Sequence, residues 1–283
     1  MKFKLLYILF SITLILFLII IVVLPFLLLE YLPGEISGFL PALLYFWELN
    51  WVFILAWLLL LTLVNVFYFY NRDLYLLLEK ENWPALIRYL ENLVIQNNYH
   101  SVKLVRLLVN TYFLLSDVES IVALEKNLQI IKPSLINHNA LVFGTAHILV
   151  NDIPGALRFF DKQRKIASSK TRDWIRWYYA FSLLLSRQYE KSGEEFSFIL
   201  NITKNKVIIA LSSYFLSEII ALVLHNKYKE YKDISFAASE RVKKALPGMI
   251  YWNKEVSRLS LEVHAAVISK YLRETGIWLY RST

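Results

Sequence analysis

Cysteine does not occur in the 283 residues, which excludes a disulfide framework, a thiolate metal site and a cysteine nucleophile together. Glycine and proline are scarce, seven of each. The glycines form neither GxGxxG nor a GxxxxGKS or GxxxxGKT loop, so the common nucleotide cradles are missing. The histidines His100, His138, His147, His225 and His264 include no pair at the close spacing of helix-borne metal ligands. His147, at an inward helix position, reads as a hydrogen-bonded packing residue. No serine has a nucleophile-elbow context, and paired acids such as Glu194-Glu195 read as solvated helix faces. The reading is a non-enzymatic protein with no catalytic, cofactor-binding or metal residues.

Charge is also scarce, but only locally. Residues 1–70 contain Lys2, Lys4, Glu30, Glu35 and Glu48 and no other ionised side chain. With 31 basic and 23 acidic residues overall, the remainder keeps 29 against 20, a basic balance suited to a solvated face or to an anionic leaflet. Mean hydropathy is +0.44 and 57% of residues are apolar, values that suit a chain partly dissolved in lipid.

The uncharged stretches are long enough to matter. Leu5 to Leu29 and Trp51 to Tyr70 carry no charge and predict two transmembrane helices, spans 5–29 and 51–70, because about 20 apolar helical residues cross a bilayer. Pro25 is expected to kink or end the first span near its far side. Trp47, Trp51 and Phe67 to Tyr70 form aromatic belts at the ends of the second. Ser11, Thr13 and Thr62 can bond back to their own helices, and Asn65 is expected either to join the two spans or to sit near the interface. Lys2 and Lys4 precede span one and Arg72 and Lys80 follow span two, while Glu30 to Asn50 has no cation. The positive-inside rule therefore places both termini in the cytoplasm at the inner membrane, with a periplasmic domain as the alternative. The connection holds Pro33, Gly34, Gly38 and Pro41 and reads as an irregular turn with an interfacial helix near Ala42 to Trp47. Between Trp51 and Trp83 there is no glycine or proline, so the second span is also expected to run on into the first helix of the following domain.

After Asn71 the apolar spacing is helical throughout, predicting an all-α fold. Four joints look alike: Asn82-Trp83-Pro84-Ala85, Ser116-Asp117-Val118-Glu119, Asp152-Ile153-Pro154-Gly155-Ala156 and Gln188-Tyr189-Glu190-Lys191. Pro84 and Pro154 suit a first helical turn, and Ser116 with Glu119 has capping-box spacing. In register, Ala85, Ile121, Ala156 and Ser192 align, as do Tyr89, Glu125, Phe160 and Phe196 four residues later. The chain divides into a hairpin (1–70), helical repeats (71–246) and C-terminal capping helices (247–283).

At these positions the sequence resembles the tetratricopeptide-repeat family. Gly144, Ala156 and Phe160 stand at the small, small and aromatic positions of one unit, and Ala180, Ser192 and Phe196 at those of the next. In the preceding unit Tyr112 and Pro133 match, whereas Val109, Ile121 and Glu125 depart from the pattern. The resemblance covers roughly residues 70–200 and implies an α-solenoid of helical hairpins, with Ala85, Tyr89 and Tyr112 joining those packing positions. It also implies a protein–protein scaffold in a membrane or envelope complex, one concrete form being a flagellar-motor assembly. The alternative is an accessory subunit of a membrane enzyme or transporter. Arg158, Lys162, Arg164, Lys165, Arg172 and Arg176 are the candidate partner-binding residues, for a protein or for anionic lipid at the bilayer. Trp174, Trp177, Tyr178 and Tyr179 have core spacing, which argues against nucleic acid.

Overall fold

The computed structural model describes residues 3–27, 39–97, 99–166 and 171–281. The described residues are helical, with no strand among them. Two compact units divide between Tyr89 and Leu90.

In the first unit, α1 (Phe3–Leu27) and α2 (Phe39–Glu79) pack as a hairpin. The 25 residues of α1 reach about 37 Å at 1.5 Å per residue, more than the ~30 Å hydrocarbon thickness. It ends within a turn of Pro25. α2 has 41 residues, and no glycine or proline falls between Pro41 and Pro84 to break it. The expected interfacial helix at Ala42 to Trp47 is thus the beginning of α2, and Tyr70 is no boundary: the helix continues to Glu79, as the uninterrupted sequence suggested. Pro33, Gly34 and Gly38 lie outside the described residues.

From Trp51 to Glu79, α2 is long and apolar enough to cross a membrane. Large apolar side chains, among them Leu16 on α1 and Phe53, Leu63 and Phe69 on α2, face outward. Most of the few polar groups find partners, and Ser11 Oγ is buried without one among the described residues. Thr13 and Thr62 donate to the carbonyls of Leu9 and Leu58 at 2.9 and 2.8 Å. The Tyr7 hydroxyl donates to Asn65 Oδ1, and Asn65 Nδ2 donates to Leu61 O at 2.8 Å. Trp57 Nε1 donates to Leu14 O at 3.0 Å, and the Tyr7 and Tyr68 rings stack. Asn65 therefore joins the two helices, the first of its two expected placements, whereas Ser11 makes no bond back to its own helix. Lys206–Val223 also has the length and hydropathy of a span, but 67% of it is buried within the fold, which makes it a core segment.

Beyond α3 (Trp83–Glu91) come α4 (Val102–Leu114), α5 (Val118–Ile131), α6 (Pro133–His138), α7 (Ala140–Leu149), α8 (Ile153–Ile166), α9 (Arg172–Leu185), α10 (Tyr189–Ile202), α11 (Lys206–Phe215), α12 (Ala221–Val223), α13 (Tyr228–Ala245), α14 (Met249–Leu259), α15 (Val263–Val267) and α16 (Ser269–Leu279). Within the second unit, α4 packs on α5, α7 on α8, α8 on α9, α9 on α10 and α11 on α13.

The four joints have one geometry. Glu81, Ser116, Asn151 and Arg187 have positive φ, between 51° and 62°, at intervals of 35, 35 and 36 residues. In each, the next N–H reaches the carbonyl five residues back: Asn82 to Leu77, Asp117 to Tyr112, Asp152 to His147 and Gln188 to Leu183, at 2.8 to 3.1 Å. This is the Schellman closure of a helix C-terminus. In three joints the following Asn or Asp then caps the next helix, Asn82 for Ala85 N, Asp117 for Ser120 N and Asp152 for Gly155 N. Ser116 is consequently not the cap expected of it. It occupies the left-handed position, and Asp117 does the capping.

Counting from these residues corrects the first alignment by one. Leu86 and Leu90, not the partly exposed Ala85 and Tyr89, share the register of Ile121, Ala156 and Ser192 and of Glu125, Phe160 and Phe196, and all of these are buried. Ala156, Phe160, Ala180, Ser192 and Phe196 are buried. A Cβ on Gly144 would meet the Phe160 ring at 2.2 Å, so the helices approach only because that side chain is missing. Ser192 Oγ donates to Ala180 O at 2.9 Å across the next pair. Tyr112 is buried and donates to Glu91 Oε1 at 2.5 Å.

The C-terminal segment forms three helices, α14 to α16, and does more than close an end. α15 packs on α7 and α16 on α11. Tyr178 of α9 donates to His264 O at 2.8 Å, while Tyr271 lies against Phe181 and Phe215. Tyr214 donates to Glu274 and Trp278 to Glu218, both at 3.1 Å.

Candidate functional site

A cleft of about 620 Å³ opens between α5, α6 and α8. Its floor is a charged triad that departs from the repeat pattern. Glu125 takes the aromatic position of its unit, and His147 takes the position that Tyr112 holds one unit earlier. With 5% of Glu125 exposed, a carboxylate there needs partners. Its Oε2 lies 2.7 Å from His147 Nε2, and Oε1 accepts from Gln129 at 2.9 Å. His147 Nδ1 lies 2.9 Å from Asp152 Oδ2, while Asp152 Oδ1 holds Gly155 N at the start of α8.

Both imidazole nitrogens thus face carboxylate oxygens. A neutral ring has one donor only, so this geometry selects the imidazolium. Burial alone would lower the proton affinity of His147, but hydrogen bonds to Glu125 and Asp152 and their charges outweigh it, holding the ring above its ordinary value of 6.5. Burial would raise Asp152, but the Gly155 N–H and His147 hold it below its usual 3.8. With both nitrogens engaged, the ring offers no lone pair to a metal or a substrate proton. Among the described residues no group of three metal-ligating side chains is placed to hold an ion.

The candidate basic residues divide. Arg158 and Lys162 line the cleft with Lys126. Arg164 and Arg176 instead converge on Glu195, donating to Oε1 and Oε2 at 2.9 Å each, with their guanidinium groups over the Tyr179 and Phe198 rings. Lys165 pairs with Asp161 at 3.0 Å. Arg172, at the start of α9, is exposed. Glu195 is therefore an internal clamp between α8 and α9, not a solvated acid. Trp174, Trp177 and Tyr178 are buried, as their spacing indicated, whereas Tyr179 is only half-buried, beneath Arg164. The triad was signalled in the sequence by two polar residues at packing positions in adjacent units; only their pairing was not.

A second depression of about 570 Å³ gathers the starts of α7, α9 and α11 with Arg106, Leu261, Glu262 and His264. Here Tyr178, driven up by burial, keeps its proton and holds the C-terminal segment.

These features define an all-helical protein with an apolar N-terminal hairpin and recurring helix joints. The chain belongs to the family described as uncharacterised Treponema protein, whose model matches residues 120–281. It is 28% identical over 235 residues to an uncharacterized protein of Treponema pallidum (strain Nichols), covering 81% of this chain and 75% of that protein. No solved structure matches.

Proposed function

We propose that this is a TPR-like scaffold, anchored in the inner membrane by α1 and α2, whose helical domain faces the cytoplasm and assembles a protein partner. The observation that carries the reading is the set of four equivalent joints at 35- and 36-residue intervals, accompanied by small-to-large packing such as Gly144 against Phe160. Stacked helix pairs of this kind present extended protein-binding surfaces. The face made by α7, α9 and α11 carries the chain's own C-terminal helices, so the partner segment is assigned to the α5–α8 cleft. Arg158, Lys162 and Lys126 there suit an acidic segment. The buried Gln163 Oε1, unpaired among the described residues, supplies an acceptor for a peptide N–H.

Photo-crosslinkers at Arg158, Lys162 and Tyr271 in the full chain, expressed in its native membrane, test this. Adducts with one protein from the first two positions and none from Tyr271 are expected. Equal or absent adducts at all three positions remove the cleft assignment. A cysteine placed at Lys191 and labelled with a membrane-impermeant reagent in intact cells would overturn the cytoplasmic orientation.

A further inference from the structure

Three helices of the second unit end on an exposed isoleucine. Ile131 closes α5, Ile166 closes α8 and Ile202 closes α10, at 44%, 52% and 44% exposure. Each stands fifteen residues after the left-handed residue of its joint, Ser116, Asn151 or Arg187. A solitary exposed isoleucine calls for no explanation. Three at one position of successive units do, because stacking brings equivalent positions to one edge.

The contacts place these ends together. The last turn of α8 shares the cleft with the end of α5 and the start of α6, where Gln163 donates to Asn137 at 3.1 Å. Thr203, just past α10, donates to Asp173 at the start of α9. The starts of α7, α9 and α11 line one depression with the exposed Leu261. The isoleucines and these helix starts thus form a single edge of the unit.

Charge decides what that edge fits. Lys132, Arg172, Lys204 and Lys206 are exposed on it and make no ion pair among the described residues. The acids nearby are engaged, Asp173 by Thr203 and Glu262 by His264 at 2.9 Å. The opposite edge is a natural comparison, because it too has a row of exposed leucines, Leu114, Leu149 and Leu185, two residues before the left-handed positions. Its turns, however, carry Asp117, Glu119, Asp152 and Glu190 alongside Arg187 and Lys191. Lys132 and Lys204 follow helix C-termini, where cations are favourable in themselves, but that accounts neither for Arg172 and Lys206 at helix starts nor for the branched aliphatic side chains in water. Apolar side chains that enter the acyl boundary, flanked by cations that meet anionic headgroups, are the composition of an interfacial membrane contact.

We infer that the Ile131–Ile166–Ile202 edge docks on an anionic bilayer surface. The inference rests on the reading of α1 and α2 as a bilayer anchor, which brings the second unit within reach of the headgroups. Ile166 borders the α5–α8 cleft as well, so the bilayer edge adjoins the cleft, and Arg158, Lys162 and Lys126 are left for a protein.

The full chain has no native cysteine, so single environment-sensitive probes can be placed at Ile131, Ile166 and Ile202, and on the opposite edge at Leu149 and Leu185. Each variant is reconstituted in vesicles of zwitterionic lipid alone or mixed with phosphatidylglycerol, with quencher-bearing lipids near the headgroup. Quenching at the three isoleucine positions is expected to exceed that at the leucine positions several-fold, only in the anionic vesicles. It should fall to the leucine level in Lys132→Glu/Lys204→Glu/Lys206→Glu, whose helical circular dichroism serves as the folding control. Equal quenching at both edges, or quenching indifferent to anionic lipid or to the charge reversal, overturns the inference. Failure of the anchor is read separately, as a chain that alkaline extraction strips from the vesicles.

Discussion

Glu125 and His147 face each other at 2.7 Å across α5 and α7, two core positions that hold hydrophobic residues in other units. Removing His147 leaves the Glu125 charge buried with only Gln129 beside it, and removing Glu125 leaves the imidazolium only the more exposed Asp152; breaking a buried pair costs about 3–5 kcal/mol. Glu125→Ala or His147→Ala should therefore lower stability by that order, read as a thermal midpoint in detergent. Replacing both with leucine should cost far less than the sum of the single changes. Additive losses in the double-mutant cycle would show that the two side chains do not interact.

The same group makes stability depend on pH, with a definite sign. His147 is held above its ordinary value of 6.5, so its contribution is complete below that pH and is lost as pH rises through the folded value. Asp152 is held below 3.8, so its contribution is complete above that pH and is lost as pH falls through its lower folded value. Between these limits both contribute. The midpoint of the wild-type chain should decline above pH 6.5 more steeply than that of His147→Gln; parallel curves would remove His147 from the account.

Gly144 lies against Phe160 with no room for a methyl group. Gly144→Ala should lose about 1–3 kcal/mol through overpacking despite the better helix propensity of alanine. Shortening the ring as well, in Gly144→Ala/Phe160→Leu, should recover part of the loss. An unchanged midpoint for the single variant would mean that the ring moves aside freely.

Tyr178 fastens the C-terminal helices through His264 O at 2.8 Å. Tyr178→Phe should cost about 1 kcal/mol, and hydrogen exchange should accelerate in α15 and α16 while α5 keeps its protection. Uniform acceleration across the unit would place the hydroxyl in global stability instead.

Local features were legible in the sequence because local chemistry determines them. The uncharged runs gave the apolar hairpin, and Asn65 gave its cross-link. The Asn82, Asp152 and proline-rich joints gave the helix starts. At Ser116-Asp117 both residues are good caps, and only the backbone decides that the first turns left-handed and the second caps. Ala85 was one residue out of register because a small side chain fixed the alignment, whereas Leu86 fills the buried site. What remained hidden was long-range. Glu195 resembles its exposed neighbour Glu194, and only folding brings Arg164 and Arg176 to it. The return of His264 to Tyr178, 86 residues apart, leaves no trace in periodicity.

The left-handed joints bear on how such a chain can change length. A cut just after Ser116, Asn151 or Arg187 leaves ends with the same backbone turn and the same closing hydrogen bond. A cassette of 35 or 36 residues can be duplicated or excised there with both flanking helices still properly ended. The C-terminal helices set the limit on this freedom, since they would then meet a different member of the row.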